Sequence, residues 1–271
     1  LILLRLGVTT GLTAYDLTAL RFAVAATCLL PVLVRSGFLP RGLRAGDALL
    51  MVVLFGAPYV LLLSYALKTA PAAAAGALNP GVMAMASVLM ARVLRGRTMA
   101  AAGVLGVTLT ALGIGIFVWA SGGLATGHFV LLATGLMWAA YTAFVGARKI
   151  PALHATALIA VGSAALYLPV YALVLPSALA QAALSDVLLQ AAFQGVLVTT
   201  VAVYAFSRSA ELLGPVAGSS LPALIPVVTL GLEVLVMGRI PPVSNLVAAC
   251  LVTVGIALVL AEARRRDPTQ G

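Results

Sequence analysis

Charge is what this sequence has least of. Of its 271 residues only 8% are Asp, Glu, Lys or Arg, the acids number 7, and histidine and cysteine occur twice each. A chain so poor in charge cannot clothe a water-facing surface of its own size, which excludes an ordinary soluble domain. The shortage of acids and histidines also thins the means of catalysis: no paired acids, His-Glu-x-x-His run or Ser-His-Asp set falls at membrane depth, so an intramembrane enzyme is disfavoured. No ring-forming charged set or carbonyl filter motif points to a channel. Cys28 and Cys250 lie inside apolar runs without ligand spacing, so neither a disulfide nor a metal site is indicated, and both are expected to fill the core. The sequence calls for no cofactor.

What is present is hydrophobic surface, 63% of the residues, with a mean hydropathy of +1.16. Windows of about 20 apolar residues, the length that crosses about 30 Å of hydrocarbon, fall near 18–35, 48–67, 72–91, 98–119, 128–147, 153–175, 187–207, 215–237 and 242–262. These predict nine full transmembrane helices. The stretch from Leu1 to about Val8 is too short to cross and is expected to be the end of a further helix that starts outside the given sequence. Strands of a membrane barrel would alternate, and runs such as Val130–Ala147 do not. The net charge of +9 does not imply nucleic acid, because Lys and Arg sit between apolar runs instead of covering a solvated face.

The sequence repeats. Thr18-Ala19-Leu20 through Leu30-Pro31-Val32 returns 138 residues later as Thr156-Ala157-Leu158 through Leu168-Pro169-Val170, with seven identities in fifteen positions. Phe55-Gly56 and Tyr65-Ala66 find partners in Gln194-Gly195 and Tyr204-Ala205, and Gly96-Arg97 with Gly113-Ile114 return as Gly238-Arg239 and Gly255-Ile256. The two copies span 1–122 and 127–263, followed by a basic tail at 264–271. Cytoplasmic loops are enriched in Lys and Arg. Arg35, Arg41 and Arg44, then Arg92, Arg95 and Arg97, then Arg148 and Lys149, then Arg208, then Arg264, Arg265 and Arg266 occupy alternate connections, while the opposite ones hold only Lys68 and Arg239. Both termini are therefore expected in the cytoplasm. Five helices per copy is an odd number, so the second copy enters from the opposite side. The expectation is an all-α membrane protein, a ten-helix bundle of two inverted five-helix repeats with the first helix truncated. Inverted pairs are a recurrent architecture of secondary transporters, which hold substrate at the midplane between the halves.

Certain residues resemble a known family. Gly135-Leu136-Met137-Trp138-Ala139-Ala140-Tyr141 followed by Arg148-Lys149 resembles the opening helix of an EamA-type repeat. Leu17-Thr18-Ala19-Leu20-Arg21-Phe22 resembles the start of its second helix, and Pro226, Gly238-Arg239 and Gly255-Ile256 resemble its closing signature. The resemblance covers essentially the whole chain. It implies the drug/metabolite transporter superfamily, with ten helices, two inverted repeats and, usually, export of small metabolites or amino acids. Two departures stand out: Gly96-Arg97 and Gly238-Arg239 replace the family's usual Gly-Glu, and Pro80 falls about three residues early.

Gly- or Pro-interrupted segments at corresponding places in two halves point to a transporter site. Asn79-Pro80-Gly81 and Gly218-Ser219-Ser220-Leu221-Pro222 with Pro226 are such a pair, and Asn79, Ser219 and Ser220 would offer hydrogen bonds to substrate. Ordinary kinks bonded to neighbouring helices are the competing reading. Trp138 and Tyr141 share one helical face, Tyr59 follows Pro58, and Gln190 and Gln194 are four apart; together they would line a cavity with a few polar points in apolar walls. Plain packing or interfacial anchoring competes for the aromatics. Trp119 reads as interfacial belt, and His128 and His154 as interfacial residues at helix ends.

Glu233 would bind a substrate amine or carry a coupling proton, against an outer-end ion pair with Arg21, Lys68 or Arg239. Arg21 is placed near the outer mouth. The expected partners are thus a small-molecule substrate, the bilayer and, through Glu233, protons. With few charges in the bundle, an apolar or zwitterionic metabolite fits better than a phosphate. The expectation is a small-metabolite exporter of the inner membrane, with amino acids or related compounds as the leading class and a passive channel or uncoupled facilitator as the alternative.

Overall fold

The computed structural model describes residues 11–40, 42–95, 99–218, 221–238 and 240–265. Every element among them is helical: α1 Ala14–Ser36, α2 Ala45–Phe55, α3 Ala57–Thr69, α4 Ala72–Arg95, α5 Ala101–Ala120, α6 Thr126–Arg148 and α7 Ala152–Val174 form the first seven. Then come α8 Leu184–Gln190, a π-helical stretch Ala191–Ala202, α9 Val203–Gly218, a 3-10 turn Leu221–Leu224, α10 Ile225–Met237 and α11 Val243–Arg265. Among the described residues eight spans are long and apolar enough to cross a membrane, and a shorter apolar helix covers Pro222–Val236. The protein is a multi-pass membrane helix bundle. The stretch before Val8, Arg41, Gly96-Arg97, Ser219, Ser220, Arg239 and Arg266 lie outside the described residues.

The scarce acids explain several helix starts. The first amides of a helix lack intrahelical partners and attract negative charge. Asp16 accepts the Thr13 amide at 2.8 Å and Asp47 the Arg44 amide at 2.9 Å. Glu211 reaches from α9 to the Ala152 amide at 3.0 Å, and Glu262 reaches from α11 to the amide of Ala100. Asp16 also accepts from Ser177 at 2.9 Å, from the Ala178 amide at 3.1 Å and from Tyr171, so it binds the start of α1 to the end of α7.

Glycines set the closest helix crossings. A Cβ on Gly106 would stand 2.7 Å from the carbonyl oxygen of Gly255, and one on Gly113 would stand 2.8 Å from that of Ala248. Here α5 and α11 meet backbone to backbone, the small-residue packing that drives association where lipid removes any hydrophobic force between helices. The repeated Gly-Ile pairs at 113–114 and 255–256 therefore fall in one seam. Gly135 similarly lets α6 approach α4, where a Cβ would stand 2.7 Å from Val82 and 3.0 Å from the Asn79 carbonyl.

Three sequence expectations change. Pro80 does not interrupt its segment: α4 runs unbroken from Ala72 to Arg95. Instead the chain breaks at Gly56, between α2 and α3, where Pro58 opens the second piece and the freed Ala57 amide donates to Ser163 Oγ of α7 at 3.1 Å. Cys28 and Cys250 are exposed, on the outward faces of α1 and α11, so they are not core residues. His128 and His154 do lie near helix starts, but both are buried. His128 Nδ1 accepts the Ala125 amide at 3.0 Å, which leaves Nε2–H to donate to Ser121 Oγ at 3.1 Å. His154 bridges Ser36 and Phe38.

Candidate functional site

Phe55, the last residue of α2, lies at the centre of a buried aromatic group. Its ring and that of Tyr59, four residues on across the chain break, have centroids 4.9 Å apart. Tyr141 of α6 stacks on Phe55 at 4.6 Å and an interplanar angle of 5°. Trp138, nearly one turn earlier on the same face, lies 5.6 Å from Phe55 and meets Phe206 of α9 edge-on at 5.3 Å. Offset stacks and edge contacts are the arrangements that ring quadrupoles favour. Four helices thus contribute to one aromatic wall.

Polar groups adjoin it. Asn79 of α4 donates from Nδ2 to the Tyr59 hydroxyl at 2.9 Å, and Tyr141 Oη lies 3.4 Å from Ser207 Oγ. Arg21 lies within electrostatic reach of Tyr59, with its guanidinium carbon 5.9 Å from the Phe22 ring centre. Several atoms in this group are buried without a hydrogen-bond partner: Arg21 Nε, Asn79 Oδ1 and Trp138 Nε1. Buried polar atoms are nearly always paired, so Arg21 Nε, Asn79 Oδ1 and Trp138 Nε1 are candidates for contact with water or a bound molecule.

The structure joins Tyr59, Asn79, Trp138 and Tyr141 through ring contacts with Phe55 and one hydrogen bond. Gln190 and Gln194 are buried and linked to each other at 3.4 Å, beside α1: a Cβ on neighbouring Gly195 would stand 3.4 Å from the Arg21 carbonyl. Gln190 ends α8 and Gln194 lies in the π-helical stretch, where Thr199 and Thr200 return their hydroxyls to carbonyls five residues back, at 2.8 and 3.0 Å. Glu233 is half-buried on α10, one turn beyond Thr229, which packs on Gly76 of α4. Among the described residues no ion pair joins it to Arg21 or Lys68. Ser219 and Ser220 lie outside the described residues. Phe55, Phe206 and Ser207 were missed by sequence reasoning. In the sequence Phe55 stands out only as a member of the repeat, and the single glycine after it is commonplace in membrane helices.

The model of the EamA-like transporter family matches residues 125–261. The chain belongs to the EamA-like transporter family. Membership accounts for the apolar helices, since the family is one of membrane transporters. No curated protein matches this EamA-like chain. A solved structure described as "Crystal structure of protein" is similar to it over 98% of this chain and 93% of its own, at 23% identity and a TM-score of 0.70. That likeness is one of fold.

Proposed function

We propose that the protein is a secondary transporter that exports small metabolites, amino acids or related compounds foremost, across the cytoplasmic membrane by alternating access. The observation that carries this is the buried aromatic group with its unpaired polar atoms, drawn from both copies of the sequence repeat: Phe55, Tyr59 and Asn79 from the first, Trp138, Tyr141 and Phe206 from the second. A site at the interface of two copies opens to one side or the other as one copy rocks against the other, which is what alternating access requires. Ten helices in two inverted repeats is the architecture we assign. The packing of α1 on α7 and of α5 on α11, elements from corresponding places in the copies, supports it. The alternating basic loops support cytoplasmic termini.

The test is flux through purified full-length protein in proteoliposomes, with a panel of radiolabelled amino acids and with a proton gradient imposed or removed. Saturable uptake and counterflow are expected. Unsaturable flux without counterflow would point to a channel and sink the reading.

A further inference from the structure

Among the described residues Arg21 is the one buried lysine or arginine side chain. It lies on α1 seven residues after Ala14, about 10 Å along the helix at about 1.5 Å per residue, too deep to count as part of the surface. It belongs to the buried stripe Leu17, Arg21, Ala25, Leu29 and Leu33, which faces the bundle, and is itself only 8% exposed. Among the described residues no hydrogen bond or ion pair holds its guanidinium, and Nε is sealed without a partner. Four of the seven acids, Asp16, Asp47, Glu211 and Glu262, cap helix starts, and Glu233 on α10 makes no ion pair with Arg21 among the described residues.

Packing does not require an arginine here. In the second copy of the repeat Thr156-Ala157-Leu158 is followed by Ile159, where Thr18-Ala19-Leu20 is followed by Arg21, and Ile159 is 2% exposed. An apolar side chain fills the corresponding place on α7. An unpaired cation inside a membrane bundle is costly and points to function. Guanidinium presents a planar fork of donors that matches a carboxylate with two parallel bonds. Tyr59 lies within electrostatic reach of Arg21 and accepts from Asn79, whose Oδ1 has no donor among the described residues. Donors at one end and an acceptor at the other complement a carboxylate and an ammonium on one small molecule, with the aromatic group beyond for an apolar body.

We infer that Arg21 anchors the carboxylate of a zwitterionic substrate, with Asn79 Oδ1 accepting from its amino group. This rests on the transporter reading and adds to it the chemical group by which substrate is recognised. The test measures binding to purified full-length protein in detergent by calorimetry, using free L-amino acids, each paired with its carboxamide, and inorganic phosphate. At least one amino acid is expected to bind on the order of 100-fold more tightly than its amide, since a site built to bond a group rejects analogues lacking it. In Arg21→Gln that preference is expected to fall to within about 3-fold, the scale of one weak neutral bond. Arg21→Lys, keeping charge but losing the fork, should fall between. Thermal stability of ligand-free Arg21→Gln is expected to match or exceed the parent, whereas a structural arginine would lower it and leave the preference intact.

Wild-type protein that binds amides as tightly as acids, that prefers phosphate or that binds none of the panel overturns the anchor, as does a preference unchanged in Arg21→Gln. Should that variant not fold, an unchanged preference in Arg21→Lys has the same force. Counterflow in proteoliposomes separates the two readings: carboxylate-dependent binding without flux overturns transport and keeps the anchor, and flux with an unchanged preference in the variant does the reverse.

Discussion

At the residue scale, the site's side chains differ in whether the protein itself has use for their polar atoms. The Tyr59 hydroxyl accepts from Asn79, so Tyr59→Phe strands a buried amide and is expected to lower stability by about 1 kcal/mol, read as a fall in the thermal transition of purified protein. The Trp138 indole nitrogen has no partner among the described residues, so Trp138→Phe strands nothing there; its effect should show in transport affinity more than in unfolding temperature. Equal losses in both measurements would argue that Trp138 only packs. The cysteines offer a separate check on placement. Cys28 and Cys250 lie on outward faces of spanning helices, so a lipid-soluble maleimide should label both in membranes while a charged maleimide labels neither. Charged reagent reaching either one would place it in a water-filled path.

At the scale of elements, two irregularities carry definite energies. The break at Gly56 is tolerable because Ser163 receives the Ala57 amide, and Ser163→Ala should cost about 1 to 3 kcal/mol by leaving that amide unpaired, measured by thermal unfolding. At the crossing of α5 and α11, Gly106→Leu would drive a side chain into the Gly255 carbonyl and should cost about 1 to 3 kcal/mol or more, visible as loss of monodisperse protein. These elements also show what the sequence made legible. The interruption near Gly218, Pro222 and Pro226 was visible because three helix-disfavouring residues cluster there, and the chain does change to a 3-10 turn at Leu221–Leu224. The same reasoning failed at Pro80, for Pro31, Pro80 and Pro169 all lie inside continuous helices. In a membrane bundle, neighbouring helices supply what a proline removes, so a lone proline is weak evidence of a break. Gly56 carried little warning because a single glycine is commonplace in such helices. The π-helical register of Ala191–Ala202 had no sequence signal, since its composition suits an α-helix equally well. The aromatic residues on α6 were legible by helical spacing, but which helix they meet is a tertiary fact. Phe55 and Phe206 could be placed beside them only by the fold.

At the scale of the whole molecule, the prediction concerns coupling and direction. If Glu233 carries the coupling proton, Glu233→Gln should abolish the response of uptake to a proton gradient and leave counterflow, which needs no net proton movement. Persistence of gradient-driven uptake in that variant would assign any coupling to another group. Replacing Asn79, Gln194 and Glu233 together should abolish transport altogether, and survival of activity would remove the proposed site.

The meeting of α5 with α11 has a further consequence for how such a molecule moves. Backbone atoms in contact leave no layer of flexible side chains to absorb sliding, and each glycine of the seam is matched to one place on its partner. Two helices joined in this way behave as a single stiff mast. Motion that carries substrate must then occur around it, with other helices as the sails, and labels placed on α5 and α11 should keep their separation through the transport cycle.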